Sequence, residues 1–526
     1  MTRDRSHAMD HVVVVLFENR SFDNILGHLY GPEDGKTFEG VIGKDLSNPI
    51  PAWAEHGSER MVVPYNITTD LNSPNPDSGE EYFHTNTQLY NTLDEHNRFK
   101  IGEAVGAPWN VPSPGAEPTM EGFVTDYIST FVGEVGRQPT YEEYAQIMTG
   151  YTPEQVPVLS GIAREFGVFD HWFCEVPSQT FMNRSFWTAA TSSGLVVNSP
   201  ATKWFTKNDA ETIFERLEAH GKSWKVYVGE PMCVSFAGII HYPRLKDRLA
   251  TNVVPFAEFE KDAAAGALPD FSFIEPDMAS GHSDYHPAFG RSFIGGNVDV
   301  GLDAPSGVLG GEAFLERIFN AYRSMASESG TNVWNTALLI GWDEPGGTYD
   351  HVAPGAVPPP DPAAPEGELG FKFDRSGYRV PAIIASPWVE PGSVYNDEFR
   401  HTSLIATLRK QWDLGEAFTQ RDSSARTFDH VFSREIARDP ATWATFKAQP
   451  LPKWQMDPEV VGKAISMLGK HIGAGVIEKA KELGVELPAQ LADPSAQLTP
   501  EIIIEVVRDI GFHFFPLLEP GAGDSH

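Results

Sequence analysis

Apolar residues run without a break from Val12 to Phe17, and polarity then switches within one residue to Glu18, Asn19 and Arg20. A short, continuous, β-branched run predicts a strand buried on both faces, as in a parallel sheet. The same junction recurs down the chain. Val168 to Val176 reads as a second buried strand, ending in PSQTFMNR with Ser178, Thr180, Asn183 and Arg184. TIFERLEAHG predicts a helix that stops at Gly221, followed by a strand holding Trp224 and Val226. Phe271 to Ile274 predicts a strand that opens into a loop carrying Glu275, Asp277, His282, Asp284 and His286. Ala337 to Gly341 predicts a further buried strand, followed by Trp342, Asp343 and Glu344 and, after a Gly-Gly turn, Asp350 and His351. VPAIIASPWV reads as one more. Strands alternating with helices imply βαβ units, hence a parallel sheet with right-handed crossovers.

Between these junctions the pattern changes. From Asp23 to about residue 120 Pro and Gly recur and the text reads as loop, with EEYFHTNTQLYN and its His84 standing out. YEEYAQIMTGYT reads as helical, and TPEQVPVLSGIAREFG predicts a helix starting at Thr152, Pro153 and Glu154. Thr before Pro, with an acid in the first turn, is a helix-start signal. GGEAFLERIFNAYRSMA and HTSLIATLRKQWDL predict two more helices, the second opening on His401, which reads as structural. Residues 288–311 are Gly-rich and irregular, as in a lid or surface insertion. The composition shifts near Pro450. Residues 1–449 therefore read as one α/β domain with insertions, and 450–526 as a helical appendage without chemistry of its own.

Charge narrows the function. Asp and Glu number 72 against 40 Lys and Arg, a net charge of −32. That argues against non-specific nucleic-acid binding, which needs clustered cations, and against an electrostatic anchor on anionic lipid. An anionic substrate would need a locally positive site, most simply a bound cation. Two cysteines, Cys174 and Cys233, make neither a disulfide scaffold nor a cysteine zinc site. They can form one bridge or remain two buried thiols. No run of about 18 apolar residues predicts a membrane span. No apolar signal segment precedes the first strand, which favours a cytoplasmic protein, with a secreted or periplasmic one as the alternative if the N-terminus is processed. Oligomeric state is not legible.

Polar groups at the carboxyl ends of strands in one open α/β sheet converge where such sheets bind ligands. Glu18 and Asn19, Thr180 with Asn183, and Asp343 with Glu344 would then form an oxygen-rich site for a hard divalent cation. A hydroxyl held there is a candidate nucleophile toward phosphorus, and nearby histidines could stabilise oxyanions or protonate a leaving group.

ENRSFDN at 18–24, HWFCEVPSQTFMNR at 171–184 and WDEPGGTYDHV at 342–352, in that order, resemble the phosphoesterase family of bacterial phospholipases C and AcpA-type acid phosphatases, within the alkaline-phosphatase-like fold. The resemblance covers most of residues 10 to 435. It implies an α/β alkaline-phosphatase-like fold with a largely parallel central sheet flanked by helices. It implies a phosphate-ester hydrolase working through a covalent phospho-threonine and a divalent metal ion (Ca, Mg, Mn or Zn). The implied metal ligands are Glu18, Asn19, Thr180, Asp343 and Glu344. Thr180 is the implied nucleophile because it precedes Asn-Arg by three residues; Ser178 is the alternative, since Met182 and the Ser178-Gln179 pair depart from the family's usual Pro and Gly-Pro. His84 and His286 are the implied catalytic histidines, and Asn19, Asn183, Arg184, His282 and His351 the implied substrate contacts. The substrate would be a small phosphate ester or a phospholipid head group. Three readings stay beside an acid phosphatase or phosphodiesterase: a phospholipase C on choline lipids, a phosphotransferase, and a non-catalytic metal-binding module.

Overall fold

The computed structural model describes residues 4–58, 61–230, 232, 234–278, 282–288, 293–294, 298–299, 307–451, 477–482, 484 and 510–519. The first apolar run is β1, His11–Phe17, buried from Val12 onward. With β2 (Gly167–Phe169), β3 (Trp224–Val228), β4 (Val253–Pro255), β5 (Phe271–Glu275), β6 (Thr336–Trp342), β7 (Ala382–Ala385) and β8 (Ser393–Tyr395) it forms one eight-stranded sheet. The order across the sheet is β8-β2-β7-β6-β1-β5-β3-β4. All strands run parallel except β7, which is antiparallel to both neighbours. The chain is thus α/β with a large, mostly parallel central sheet. VPAIIASPWV is a buried strand as its composition predicts, but its direction is not written in a run that is apolar throughout.

β1 and β6 lie side by side, with Leu16 opposite Gly341 and Phe17 opposite Trp342. This register carries Glu18 and Asp343 off the same edge at the same height. Side chains alternate between the two faces. On one face a Cβ at Gly341 would meet the Trp187 ring at 2.9 Å, so helix α4 (Thr180–Ala189) packs directly there. On the other, Phe17 stacks edge-on against Tyr285 at 4.8 Å, and Tyr285 reaches helix α5 (Val308–Ser324) through Glu312. Helices therefore cover both faces, which is why β1 and β6 are apolar without alternation.

Four local readings change. Val168 to Val176 is not one strand: β2 ends at Phe169, and Trp172–Phe173 pairs separately with Phe399–Arg400. The break is at Asp170, whose carboxylate accepts from Glu39 N, Asn396 Nδ2 and His171 Nδ1 at 2.7–2.9 Å and turns the chain. EEYFHTNTQLYN is helix α1, Tyr82–Tyr90, packed on α2, Phe123–Val135. The Pro- and Gly-rich text around them encloses a second apolar core built on Leu89, Phe123, Tyr127, Ile128 and Tyr144. YEEYAQIMTGYT gives only a short helix, Tyr141–Ala145, and a 3-10 turn. The next helix, α3, Pro157–Glu165, starts at Pro157 rather than Thr152; Thr152 to Gln155 closes a turn instead, with Thr152 N bonded to Gln155 Oε1. Helix α6, Thr402–Trp412, follows His401 as predicted.

Most of the appendage read at 450–526 and of the irregular segment at 288–311 lies outside the described residues, as does Cys233. Cys174 is a buried free thiol. Residues 477–482 and 510–514 are helical, and Ile477, Ala480, Ile510 and Phe515 join the main core. Among the described residues no helix is long and apolar enough to cross a membrane.

Candidate active site

At the carboxyl edge of β1 the chain turns sharply through Asn19, which sits in the left-handed region at φ 55. Asn tolerates that conformation better than most residues. The turn closes on the segment after β6: Asn19 N donates to Asp343 Oδ1 at 3.4 Å, and Asp343 N donates to Phe17 O at 3.1 Å. Gly346, at φ 61, lets that segment pass so near that a Cβ would fall 2.4 Å from Asn19 O. Glu18, Asn19, Asp343 and Glu344 are thereby brought together, all buried.

Arg184, one turn into α4, ties this cluster to the third element. Its Nε donates to Asp343 Oδ2 at 2.9 Å, its Nη2 to Leu16 O at 3.2 Å, and Nη2 lies 3.7 Å from Glu18 Oε1. It is an internal anchor, with Asp343 its closest partner. Thr180 is the first residue of α4 and lies beyond a loop rather than at a strand end. Asn183 shapes that loop: its Oδ1 accepts from Glu175 N and Val176 N, and its Nδ2 donates to Val176 O, Ser178 O and Gln179 O. Its polar atoms are thus committed to the loop rather than to a substrate. Ser178 Oγ donates to Val196 O at 2.6 Å. Thr180 Oγ1 is buried and has no partner among the described residues. At a helix N-terminus it lies where the backbone dipole favours negative charge.

Thr180 Oγ1 is not alone in this. Both Glu18 oxygens, Asn19 Oδ1 and Glu344 Oε1 are also buried without a hydrogen-bond partner among the described residues. Orphaned buried oxygens are costly and rare. Here they come from three chain segments. Burial and then Asp343 push Glu18 well above the usual carboxylate range. Burial does the same to Glu344, with Glu80 next, and holds Asp343 up at about 6. Oxygens that repel one another, with one guanidinium among them, fit a divalent cation. Asp343 adds two further oxygens that already accept hydrogen bonds and retain lone pairs.

The histidines divide. Asp284 accepts from His282 Nδ1 at 3.1 Å and from His286 N at 3.0 Å, and its carbonyl receives Glu18 N at 2.9 Å. His286 Nδ1 must donate to Pro287 O at 2.9 Å, because a carbonyl only accepts. Its Nε2 therefore accepts from Asn19 Nδ2 at 2.9 Å, and burial keeps the ring neutral, with its pKa down at about 4. Both histidines thus join the edge cluster. His84 is set into a helix, not a loop: its Nδ1 bonds Asp126 at 2.8 Å, and its Nε2 lies 3.6 Å from Glu81. Burial opposes its charge, but Asp126 prevails and raises its pKa to about 9. His351 turns away to Asp23 at 2.5 Å and Glu39 at 2.9 Å, in a cluster where Arg379 bridges Asp23 and Asp350.

Two contributors lie outside the expected site residues. His401 donates from Nε2 to Asp343 O at 2.6 Å and accepts from Trp172 Nε1 at 3.2 Å, stacked on Trp187. Glu80 accepts from Asn19 and Gln179. The first residue sits at an ordinary helix start. The second is one acid in a loop of many.

Across residues 9–415 the chain matches the model of the Phosphoesterase family. It is 30% identical over 447 residues to non-specific phospholipase C3 of Arabidopsis thaliana, covering 81% of this chain and 74% of that protein. It is 31% identical over 438 residues to non-specific phospholipase C6 of the same plant, covering 80% and 72%. To phospholipase C B of Mycobacterium tuberculosis it is 25% identical over 440 residues, covering 77% and 73%. Among solved structures, a protein of the alkaline phosphatase superfamily from Vibrio parahaemolyticus aligns with 65% of this chain and 81% of its own at a TM-score of 0.30 and 14% identity. The sequence matches, not that weak structural likeness, decide the family.

Proposed function

The chain belongs to the phosphoesterase family, and on that premise we propose that it is a phosphoric ester hydrolase of the phospholipase C type. It cleaves the phosphate ester of a phospholipid head group through a covalent intermediate on Thr180. The observation that carries this reading is the set of buried oxygens on Glu18, Asn19, Thr180 and Glu344 that lack a hydrogen-bond partner among the described residues, with Asp343 bonded to the Asn19 backbone. Those five residues would hold a divalent cation. A donor set of carboxylate, amide and hydroxyl oxygens, without sulfur or imidazole, suits Ca, Mg or Mn better than Zn. When bound, such an ion polarises a phosphoryl oxygen and favours the alkoxide of a neighbouring hydroxyl.

The chain's own groups supply the rest. Thr180 Oγ loses its proton as its bond to phosphorus forms, and the ester bond to the alcohol breaks, the alcohol leaving with a proton. Water then attacks phosphorus, the bond to Thr180 breaks, and the hydroxyl regains its proton. The α4 N-terminus favours the negative charge that builds at this position. Arg184 holds Asp343 in place, and Asn183 fixes the loop that presents the nucleophile. The hydrogen bond from Ser178 to Val196 O supports Thr180 over Ser178, since it occupies the rival hydroxyl.

The test is a substrate panel on cation-loaded protein: phosphatidylcholine in mixed micelles against p-nitrophenyl phosphate. Cation-dependent release of diacylglycerol and a soluble phosphorylated head group is expected. Turnover of the monoester alone would restrict the reading to a phosphatase, and turnover of neither would overturn it.

A further inference from the structure

Glu80 takes no part in the chemistry above, yet three segments of the site meet at its carboxyl group. Oε2 accepts from Asn19 Nδ2, Oε1 accepts from Gln179 Nε2 at 3.1 Å, and the carboxyl also meets that of Glu344. Gln179 directly precedes Thr180 and is itself braced, its Oε1 accepting from Asn198 N at 3.0 Å. Asn198 Oδ1 in turn accepts from Phe181 N in the first turn of α4 at 2.9 Å. Glu80 therefore couples the turn after β1 to the loop that presents the nucleophile.

The consequence falls on Asn19. Its amide has a donor end and an acceptor end, and only the acceptor end can serve a cation. Nδ2 donates to Glu80 and to His286 Nε2, while Oδ1 is buried and partnerless. With Glu80 Oε2 and His286 Nε2 both accepting from Nδ2, an Asn19 amide turned end for end would set oxygen against oxygen at Glu80 and lone pair against lone pair at His286. Both Glu80 oxygens hold amide donors, one from each of the two segments it joins. We infer that Glu80 is a positioning residue: with His286 it locks the Asn19 amide in the one orientation that keeps Oδ1 available to a cation. This rests on the reading of Asn19 as a ligand given above.

The experiment is a double-mutant cycle read as Mn²⁺ affinity by calorimetry on cation-free protein, with melting temperature as the control for folding. Glu80→Ala is expected to weaken Mn²⁺ binding by about tenfold or more, the usual effect of removing a group that orients a ligand. In an Asn19→Ala background the same substitution is expected to change affinity by less than about twofold, because the residue it acts through is gone. Glu80→Gln, which keeps size but offers one acceptor to two amide donors, is expected to weaken binding less and to lose its effect in the same background. It decides the matter should Glu80→Ala not fold. Unchanged affinity in the folded variant, or losses that multiply in the double variant, overturn the inference alone. A native protein that binds no divalent ion overturns the function reading and this inference together.

Discussion

Arg184 shows how much of the site rests on single residues. Its guanidinium is buried and pairs with Asp343 and Glu18, so truncation leaves two carboxylates in the interior without their cation. Breaking a buried pair from one side costs about 3–5 kcal/mol, and Arg184→Ala is expected to lower the urea midpoint accordingly. An unfolding free energy within about 1 kcal/mol of native would place the pair among weak surface contacts. His84 gives a pH signature. Its folded-state pKa of about 9 lies above the ordinary value of 6.5. Its charge therefore contributes stability that is fully present below pH 6.5 and lost as pH rises through about 9. Over that window native protein should lose melting temperature faster than His84→Gln, and parallel curves would show that Asp126 does not hold the proton on His84. What the sequence conveys at this scale is residue type at a motif position, which suffices to single out Glu18, Asn19, Thr180, Asp343 and Glu344 as candidates. It does not convey which atoms are already spent. Asn183 belongs to the same motif as Thr180, yet it is consumed by the loop; Glu80 belongs to no motif, yet it holds Asn19.

At the level of elements, long apolar runs were the most legible part of the chain, because strands covered on both faces have no alternative to being apolar throughout. Hence β1, β5, β6 and β7 stand where their runs predict, although the antiparallel course of β7 depends on connections that a run cannot express. Helix starts were less legible. The Thr152-Pro153-Glu154 signal is spent on a turn, and α3 begins at Pro157 with no side chain of its own as a cap. Its free amides are met from afar: Glu312 on α5 accepts from Val158 N at 2.6 Å and Leu159 N at 2.9 Å. Tyr285, next to His286, donates its hydroxyl to the same carboxylate at 2.7 Å. Glu312→Gln keeps the shape but turns an amide group toward one backbone N–H. It is expected to cost about 1–2 kcal/mol, the range for a lost cap, measurable in chemical denaturation. No change would mean that water serves the helix end equally well. Segment α1 was illegible for a related reason: most of its nine residues are polar yet buried, with Leu89 in the second core and Tyr82 in the main one.

For the molecule as a whole, the acidic excess and the orphaned oxygens lead to one expectation. A ligand that binds only the folded state stabilises it by mass action, about 2.7 kcal/mol at a hundred times its dissociation constant. Melting temperature should therefore rise with added Ca²⁺ or Mn²⁺ and fall again with chelator, and the rise should vanish in Asp343→Asn. A shift that persists in that variant would point to general screening of the −32 net charge. The order of the three motifs made the family legible from sequence. The meeting of Glu18 and Asp343 is a matter of register, with β1 beside β6 and Phe17 opposite Trp342, and α4 joins them through Arg184, bonded to Asp343.

The central claim is that the ester is cleaved by way of Thr180, and acid quenching during steady-state turnover, followed by peptide mass spectrometry, tests it most directly. A phosphoryl head-group adduct (phosphocholine, when phosphatidylcholine is the substrate) on Thr180 is predicted in the native protein, with no adduct and turnover lower by roughly a thousandfold in Thr180→Ala. Native-like turnover in Thr180→Ala, or an adduct on Ser178 instead, would contradict it.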